Sequence, residues 1–276
     1  MLHSAAARFL EQLAKEPPQA LLFVGPSGVG KRQAVFAWAK QAHDLEPWQV
    51  QLVEPNEKGN IAAESIRELY QFTRVKQAGP RLIAIIDAQG LSEAAQNAFL
   101  KLLEEPGNNV HFVLTTNNVQ RLLPTIRSRA QELAILPLPI AQHKQIIERT
   151  YTQLSPTDQA QLLFIAGGLP ALADELVADS KEFVVYKERA IQAKILVGND
   201  VFKKVQLAGT LNDRANAISL VMLAEQMCER LSFSARTPQE LEHWTHHRAT
   251  LLDAAERLAA NANIKAQLMR LAFDLV

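Results

Sequence analysis

Residues 20–24 read ALLFV and run straight into GPSGVGKR at residues 25–32. No other stretch restricts the fold as strongly. A short apolar run bounded by proline and glycine is how a strand buried on both faces of a parallel sheet reads. The segment that follows matches G-x-x-x-x-G-K, and a helical pattern over residues 33–43 comes after it. Strand, glycine loop and helix in that order make a phosphate-binding loop. Glycine lets successive backbone N–H groups turn inward, and the helix N-terminus adds positive potential. Gly25, Pro26, Ser27, Gly28, Val29, Gly30, Lys31 and Arg32 are therefore the candidate nucleotide-binding residues. Lys31 would supply a point charge for the outer phosphates. Arg32 occupies the position where a hydroxyl normally binds Mg²⁺, which a guanidinium cannot do. The competing reading is a glycine-rich turn that holds no ligand.

The rest of the first half keeps the same rhythm. Strand patterns at 50–53, 82–86, 110–115 and 132–136 alternate with helical patterns at 64–73 and 92–104, and a short amphipathic helix at 10–15 precedes them all. Ser92 is placed to cap the 92–104 helix. Alternation of this kind predicts an α/β fold, a parallel sheet with helices on both faces. After Pro139 no comparable strand run occurs. Helical patterns fill 142–153, 157–167, 170–177, 181–196, 213–231 and 238–260. The predicted organisation is an α/β core at 1–137, a small helical domain at 138–180 and a longer helical domain at 181–276.

Composition narrows the function classes. Twenty-nine basic residues balance twenty-nine acidic ones. Residues 1–137 hold 14 basic and 13 acidic residues, leaving 15 and 16 for the remainder. Neither half is a basic module, which argues against tight sequence-independent nucleic-acid binding by this chain alone. The single cysteine, Cys228, excludes a disulfide framework and a cysteine-built zinc site, and it fits a reducing compartment. No apolar run has the length of a membrane span, and residues 1–10 lack the features of a secretory signal. A cytoplasmic location without membrane contact is the expectation.

Asp87 closes the 82–86 strand, where a nucleotidase of this loop type keeps the carboxylate for hydrated Mg²⁺. The next residue is Ala88, which leaves no adjacent carboxylate to activate water. For Asp87 alone, a loop or capping aspartate is the competing reading. Other candidates read more plainly. His243, His246 and His247 share a helical face without a matching carboxylate set and are read as solvated, with no metal. Trp38 and Trp48 are read as packing residues, Cys228 as core filler, and Arg121 as a surface ion-pairing residue. No Ser/His/Asp hydrolase arrangement or dinucleotide fingerprint is present.

The stretch DAQGLSEAAQNAFLKLLEEP at 87–106 closely resembles bacterial clamp-loader ATPases of the AAA+ superfamily, which carry N-x-L-L-K-x-L-E-E-P after an acidic strand end. Asn97, Lys101, Leu102, Leu103, Glu104, Glu105 and Pro106 fit. FVLTTNNVQRLLPTIRSR at 112–129 extends the likeness: Thr116 and Asn117 stand at the family's γ-phosphate sensor, and Ser128–Arg129 at its Ser-Arg-Cys element, with Ala130 for the cysteine. AGGLPAL at 166–172 and the segment 261–275 resemble the lid entry and last collar helix more weakly. The resemblance implies an AAA+ core, a lid and an oligomerising collar. It implies a place in a hetero-oligomeric ring with other clamp-loader subunits, which sets a sliding clamp on primed DNA. It also implies that Arg129 acts as an arginine finger in trans, the competing reading being a structural arginine paired with a local carboxylate such as Glu132, and that Asp87 and Asn117 border any bound nucleotide.

Several departures from the family point to a subunit that is not a motor. Ala88 replaces the base, Leu169-Pro170-Ala171 stands where motor subunits carry a second sensor arginine, and Arg32 alters the loop. ATP binding is therefore expected to be weak or absent, with Mg²⁺ only alongside nucleotide. The family's four-cysteine zinc module is missing from residues 41–53, so no zinc is expected. The alternatives are an active gamma/tau-type ATPase subunit and an unrelated AAA+ regulatory or adaptor protein.

Overall fold

The computed structural model describes residues 3–74 and 79–275. The chain divides into two compact units, Met1–Ala178 and Asp179–Val276. In the first, five strands form one parallel sheet: β1 (Ala20–Val24), β2 (Gln51–Val53), β3 (Arg81–Ile85), β4 (Val110–Thr116) and β5 (Gln131–Ala134). Their order is β2-β3-β4-β1-β5, so β1 lies between β4 and β5. The registers Leu22 to Leu114 and Ile83 to Phe112 place the three longest strands side by side.

Both sheet faces are covered, which explains the unbroken apolar runs. Leu22 of β1, Ile83 and Ile85 of β3, and Phe112 and Leu114 of β4 point to one face. There they meet α3 (Ala63–Arg74) and α4 (Glu93–Glu104), with Phe99 edge-on to Phe112 at 5.3 Å. Leu21, Phe23, Leu82, Ala84 and Val113 point to the other face, against α1 (Ser4–Leu13) and α2 (Lys31–His43). Trp38 of α2 is fully buried there, as expected of a packing residue. Each such fully buried side chain contributes about 1.5–3 kcal/mol relative to exposure. Ser92 caps α4 as predicted, its side chain accepting from the Ala95 N–H. Trp48 departs from the packing expectation. It sits in a one-turn 3-10 segment, Pro47–Gln49, and is 80% exposed, because a piece this short presents no face to the sheet.

The first unit continues through α5 (Pro124–Arg127), α6 (Ile140–Thr150), α7 (Pro156–Ala166) and α8 (Pro170–Ala178). The turn before α8 is held from behind. Gly168 donates its N–H to Nδ1 of the buried His143 and accepts from the Leu138 N–H, at 2.9 and 2.8 Å. Tyr151 donates to the Asp174 carboxylate at 2.5 Å, tying the end of α6 to α8.

All the described elements of the second unit are helices: α9 (Ser180–Val197), α10 (Val201–Thr210), α11 (Arg214–Ser234), α12 (Pro238–Ala259) and α13 (Ile264–Asp274). Each begins with a side-chain cap, from Asp179, Asp200, Asp213, Thr237 and Asn263 respectively. The helical periodicity missed α10, where Lys203 and Lys204 interrupt the apolar face, although the Asp200 cap marks its start. Arg248 of α12 clamps α11 through Glu225 and Glu229 at 2.5 and 2.7 Å. Cys228 is fully buried, as core filler should be. Among the described residues no helix is long and apolar enough to cross a membrane.

The solvated reading of the three histidines fails for His247, which is 1% exposed. The helical turn brings His247 inward, while His246 stays on the outer surface. Burial lowers its pKa from 6.5 to about 4, and the charges of His243 and Lys204 push the same way. Burial brings His143 and His43 to about 4 as well. The unfolded chain therefore takes up protons near 6.5 that the folded chain refuses until about 4. Stability from these groups is complete above the unfolded value and is lost as pH falls through that window. Urea midpoints measured across it should fall, and His247→Leu should flatten the fall. An unchanged slope in that variant would contradict a neutral buried His247.

Candidate nucleotide site and a surface arginine

The strand order gathers one chemical neighbourhood at the carboxyl edge of the sheet, where open parallel sheets place their ligands. The loop after β1, Glu54 after β2, Asp87 after β3 and Thr115 near the end of β4 all border one cavity of about 500 Å³. Ser27, Gly28, Gly30, Lys31 and Arg32 line it from the predicted loop. Gly25, Pro26 and Val29 shape the loop from behind. Val29 is buried, and Gly25 donates its N–H to the Thr116 carbonyl at 3.1 Å.

Inside this cradle the cation partners its own loop. The Lys31 ammonium donates to the Gly25 and Pro26 carbonyls at 2.8 and 2.9 Å. Burial lowers its pKa, with the nearby Asp87 charge acting in the opposite sense. Arg32 swings toward the end of β2 and pairs with Glu54 at 2.8 Å, its guanidinium 5.8 Å from the Phe36 ring centre. Asp87 adopts a left-handed backbone at φ 51° and donates its N–H to the Thr115 hydroxyl at 2.9 Å. Ala88 behind it is fully buried and brings no base.

The two sensor-like residues separate. Thr116 is fully buried, and its hydroxyl accepts from the Asn118 N–H at 3.1 Å. Asn117 is exposed and donates through Nδ2 to the Ser27 hydroxyl at 3.1 Å, so it does reach the loop. Neither Glu54 nor Glu175 figured in the sequence reading, yet both line the cavity. Glu175 lies on α8, far from the loop in sequence, and the lid-entry likeness at 166–172 stops short of it.

The loop and α8 are joined through the backbone. Pro170 opens α8 and has no N–H to offer. The next two N–H groups, of Ala171 and Leu172, donate to the Gly28 carbonyl at 2.9 and 3.2 Å. The N-terminal end of α8 is thus taken up by the loop, while that of α2 follows the loop directly. Gly28 is required twice over. Its φ is 75°, and a β-carbon there would lie 2.7 Å from the Leu172 β-carbon.

The residues fit a magnesium triphosphate poorly. The lysine is engaged by its own carbonyls, the magnesium hydroxyl is replaced by Arg32, and three carboxylates (Glu54, Asp87 and Glu175) border the space. Among the described residues no group of three or more His, Cys, Asp or Glu side chains could hold a metal ion.

Arg129 lies elsewhere on the same unit. It follows α5, and Ser128 closes that helix by donating to the Thr125 carbonyl at 3.1 Å. The buried Gln96 of α4 positions the approach: its amide donates to the Leu91 and Arg121 carbonyls and accepts from the Leu123 N–H, at 3.3, 3.0 and 2.8 Å. Arg129 donates through Nη1 to the Thr125 carbonyl at 3.1 Å and through Nη2 to Glu104 at 3.0 Å. Its local carboxylate is therefore Glu104 and not the nearer-in-sequence Glu132, because β5 carries Glu132 away. Arg121 is exposed, with no ion pair seen among the described residues.

Comparison with known proteins agrees with this architecture. The family model for the DNA polymerase III delta subunit matches residues 44–139. The DNA polymerase III subunit delta' of Pseudomonas aeruginosa is 28% identical over 235 residues, covering 76% of this chain and 69% of that protein. Replication factor C subunit 3 of Schizosaccharomyces pombe is 26% identical over 54% of this chain, which spans under half of it, 45%. Among solved structures, a DNA polymerase III gamma subunit-related protein from Thermotoga maritima superposes with a TM-score of 0.58 at 16% identity, covering 96% of each chain. The RuvB Holliday junction branch migration motor of the same organism gives 0.56 at 16% identity, over 85% of this chain and 88% of RuvB.

The parallel sheet and the helices after it share the fold of these solved structures, and residues 44–139 match the DNA polymerase III delta subunit family. Over three quarters of its length the chain is similar to a DNA polymerase III subunit delta'.

The contact between Gly28 and α8 makes a direct prediction. Gly28→Ala should destabilise the protein by about 1–3 kcal/mol, from the positive φ and the clash with Leu172 together. A denaturant titration in which this variant matches the parent would contradict the close approach.

Proposed function

We propose that this chain works as the delta prime-type subunit of a clamp loader, a binding and scaffolding member of an ATP-driven ring that sets a sliding clamp on primed DNA. A contrast within one unit carries the reading. The chain's own phosphate loop is closed on itself and bordered by carboxylates, whereas Arg129 is partly exposed at the surface, 40% by side chain. A subunit with a poor site of its own still matters to such a machine if it supplies a cation to a neighbour's site. Phosphoryl transfer depends on positioning and charge stabilisation, and a guanidinium in trans is worth about 10³–10⁵ in rate where it has been measured.

In this reading residues 138–180 serve as the lid and residues 181–276 as the collar that joins subunits. The other loader subunits, the sliding clamp and primed DNA, the last through the assembled complex, are the partners. The setting is the cytoplasm. Nucleotide, with Mg²⁺ beside it, binds this chain weakly or not at all, and zinc has no role.

Three measurements test the reading. The isolated chain should show negligible ATPase, and calorimetric titration with ATP should give no sub-micromolar binding, meaning nothing tighter than about −8 kcal/mol. Robust turnover or tight binding would favour a motor subunit instead. In a reconstituted loader, Arg129→Ala should leave assembly intact and depress ATPase and clamp loading. Arg129→Lys should recover little, since an ammonium cannot fork onto phosphate oxygens. Full activity of the Arg129→Ala complex would reject the assignment.

A further inference from the structure

The partners of Arg129 are of two different kinds. The Thr125 carbonyl belongs to the backbone of α5, one turn behind, and is fixed by it. The Glu104 carboxylate sits at the last residue of α4 on a side chain free to rotate, 54% exposed. A guanidinium has five N–H donors, and these two contacts leave others for a further acceptor.

Glu104 is also poorly placed for a carboxylate. The C-terminal end of a helix carries partial negative charge, and Glu105 follows immediately. Lys101 is the basic residue in the last turn of α4. Arg129, brought in from a different element, adds a second cation that relieves this concentration of negative charge. The resulting attraction is real but shallow, because both partners face water and long side chains must be held still. A phosphate group offers the same forked geometry with more charge.

We propose that Glu104 is an exchangeable holding partner for Arg129: it keeps the guanidinium beside α4, and the phosphate of a nucleotide in the adjoining subunit displaces it. The inference rests on the in-trans reading of Arg129 and adds a residue that reading does not need. Thr125 serves as the pivot, retaining one contact while the other is exchanged. Glu104 acts as a positioning residue, touching no nucleotide itself. Its effect is to weaken Arg129's hold on a neighbouring phosphate until subunits are aligned closely enough for the exchange to succeed.

The test is a double-mutant cycle in the reconstituted loader, reading kcat and KM for ATP at fixed subunit concentration. Glu104→Gln keeps the shape and removes the charge. It should raise kcat/KM by about 2–5-fold, the size expected for losing a weak competing ion pair. In an Arg129→Ala background the same change should have no effect. Glu105→Gln, which removes a charge from the same helix end without touching Arg129, should give a smaller rise. An unchanged or lowered kcat/KM in Glu104→Gln overturns the proposal while leaving the arginine assignment standing, provided Arg129→Ala is impaired. An equal rise in the Arg129→Ala background also overturns it, since the effect would not pass through Arg129. If Arg129→Ala is fully active, the in-trans reading and this inference fall together.

Discussion

The placement of β1 decides most of this molecule's first unit. Its side chains alternate between two apolar layers, Leu22 toward Phe112 and Phe99, Leu21 and Phe23 toward Trp38. Such a strand is stable only inside a sheet with helices on both faces, and it pairs with β4 on one side and β5 on the other. Parallel strands end at the same edge. The phosphate loop, Glu54, Asp87 and Thr115 therefore meet around one cavity even though they lie up to about ninety residues apart in the chain.

What fills that edge is a site built on a nucleotide-binding plan and turned to other contacts. Lys31 donates to loop carbonyls, Arg32 pairs with Glu54, and the first N–H groups of α8 donate to the Gly28 carbonyl. The Lys31 ammonium, the Arg32 guanidinium and the first N–H groups of α8 thus have partners within the chain. These contacts tie the loop to itself and to α8. The consequence for the proposed role is that binding chemistry moves to the surface, where Arg129 is held by Thr125 and Glu104.

The strand–loop–helix of residues 20–43 was legible because its apolar run, glycines and helical period are local signals. The Ser92 cap, the change of character after Pro139 and the long helices of the second unit were legible for the same reason. Other features were not. Trp48 and His247 each carry a residue type that suits either surface or core. Only the packing of neighbours shows that Trp48 is exposed and that His247 is enclosed. The helix α10 was missed because lysines broke its apolar face, and one of them, Lys204, is itself buried.

The sequence by itself determined the parallel α/β class, the position and composition of the phosphate loop, and the absence of a base beside Asp87. These depend on residue type and short-range spacing, which the chain states directly. The tertiary structure alone decided which carboxylates face the loop, that α8 donates to Gly28, and that Arg129 pairs with Glu104 and not Glu132. Those outcomes depend on which elements pack together, a property of the whole core's burial and not of any one segment.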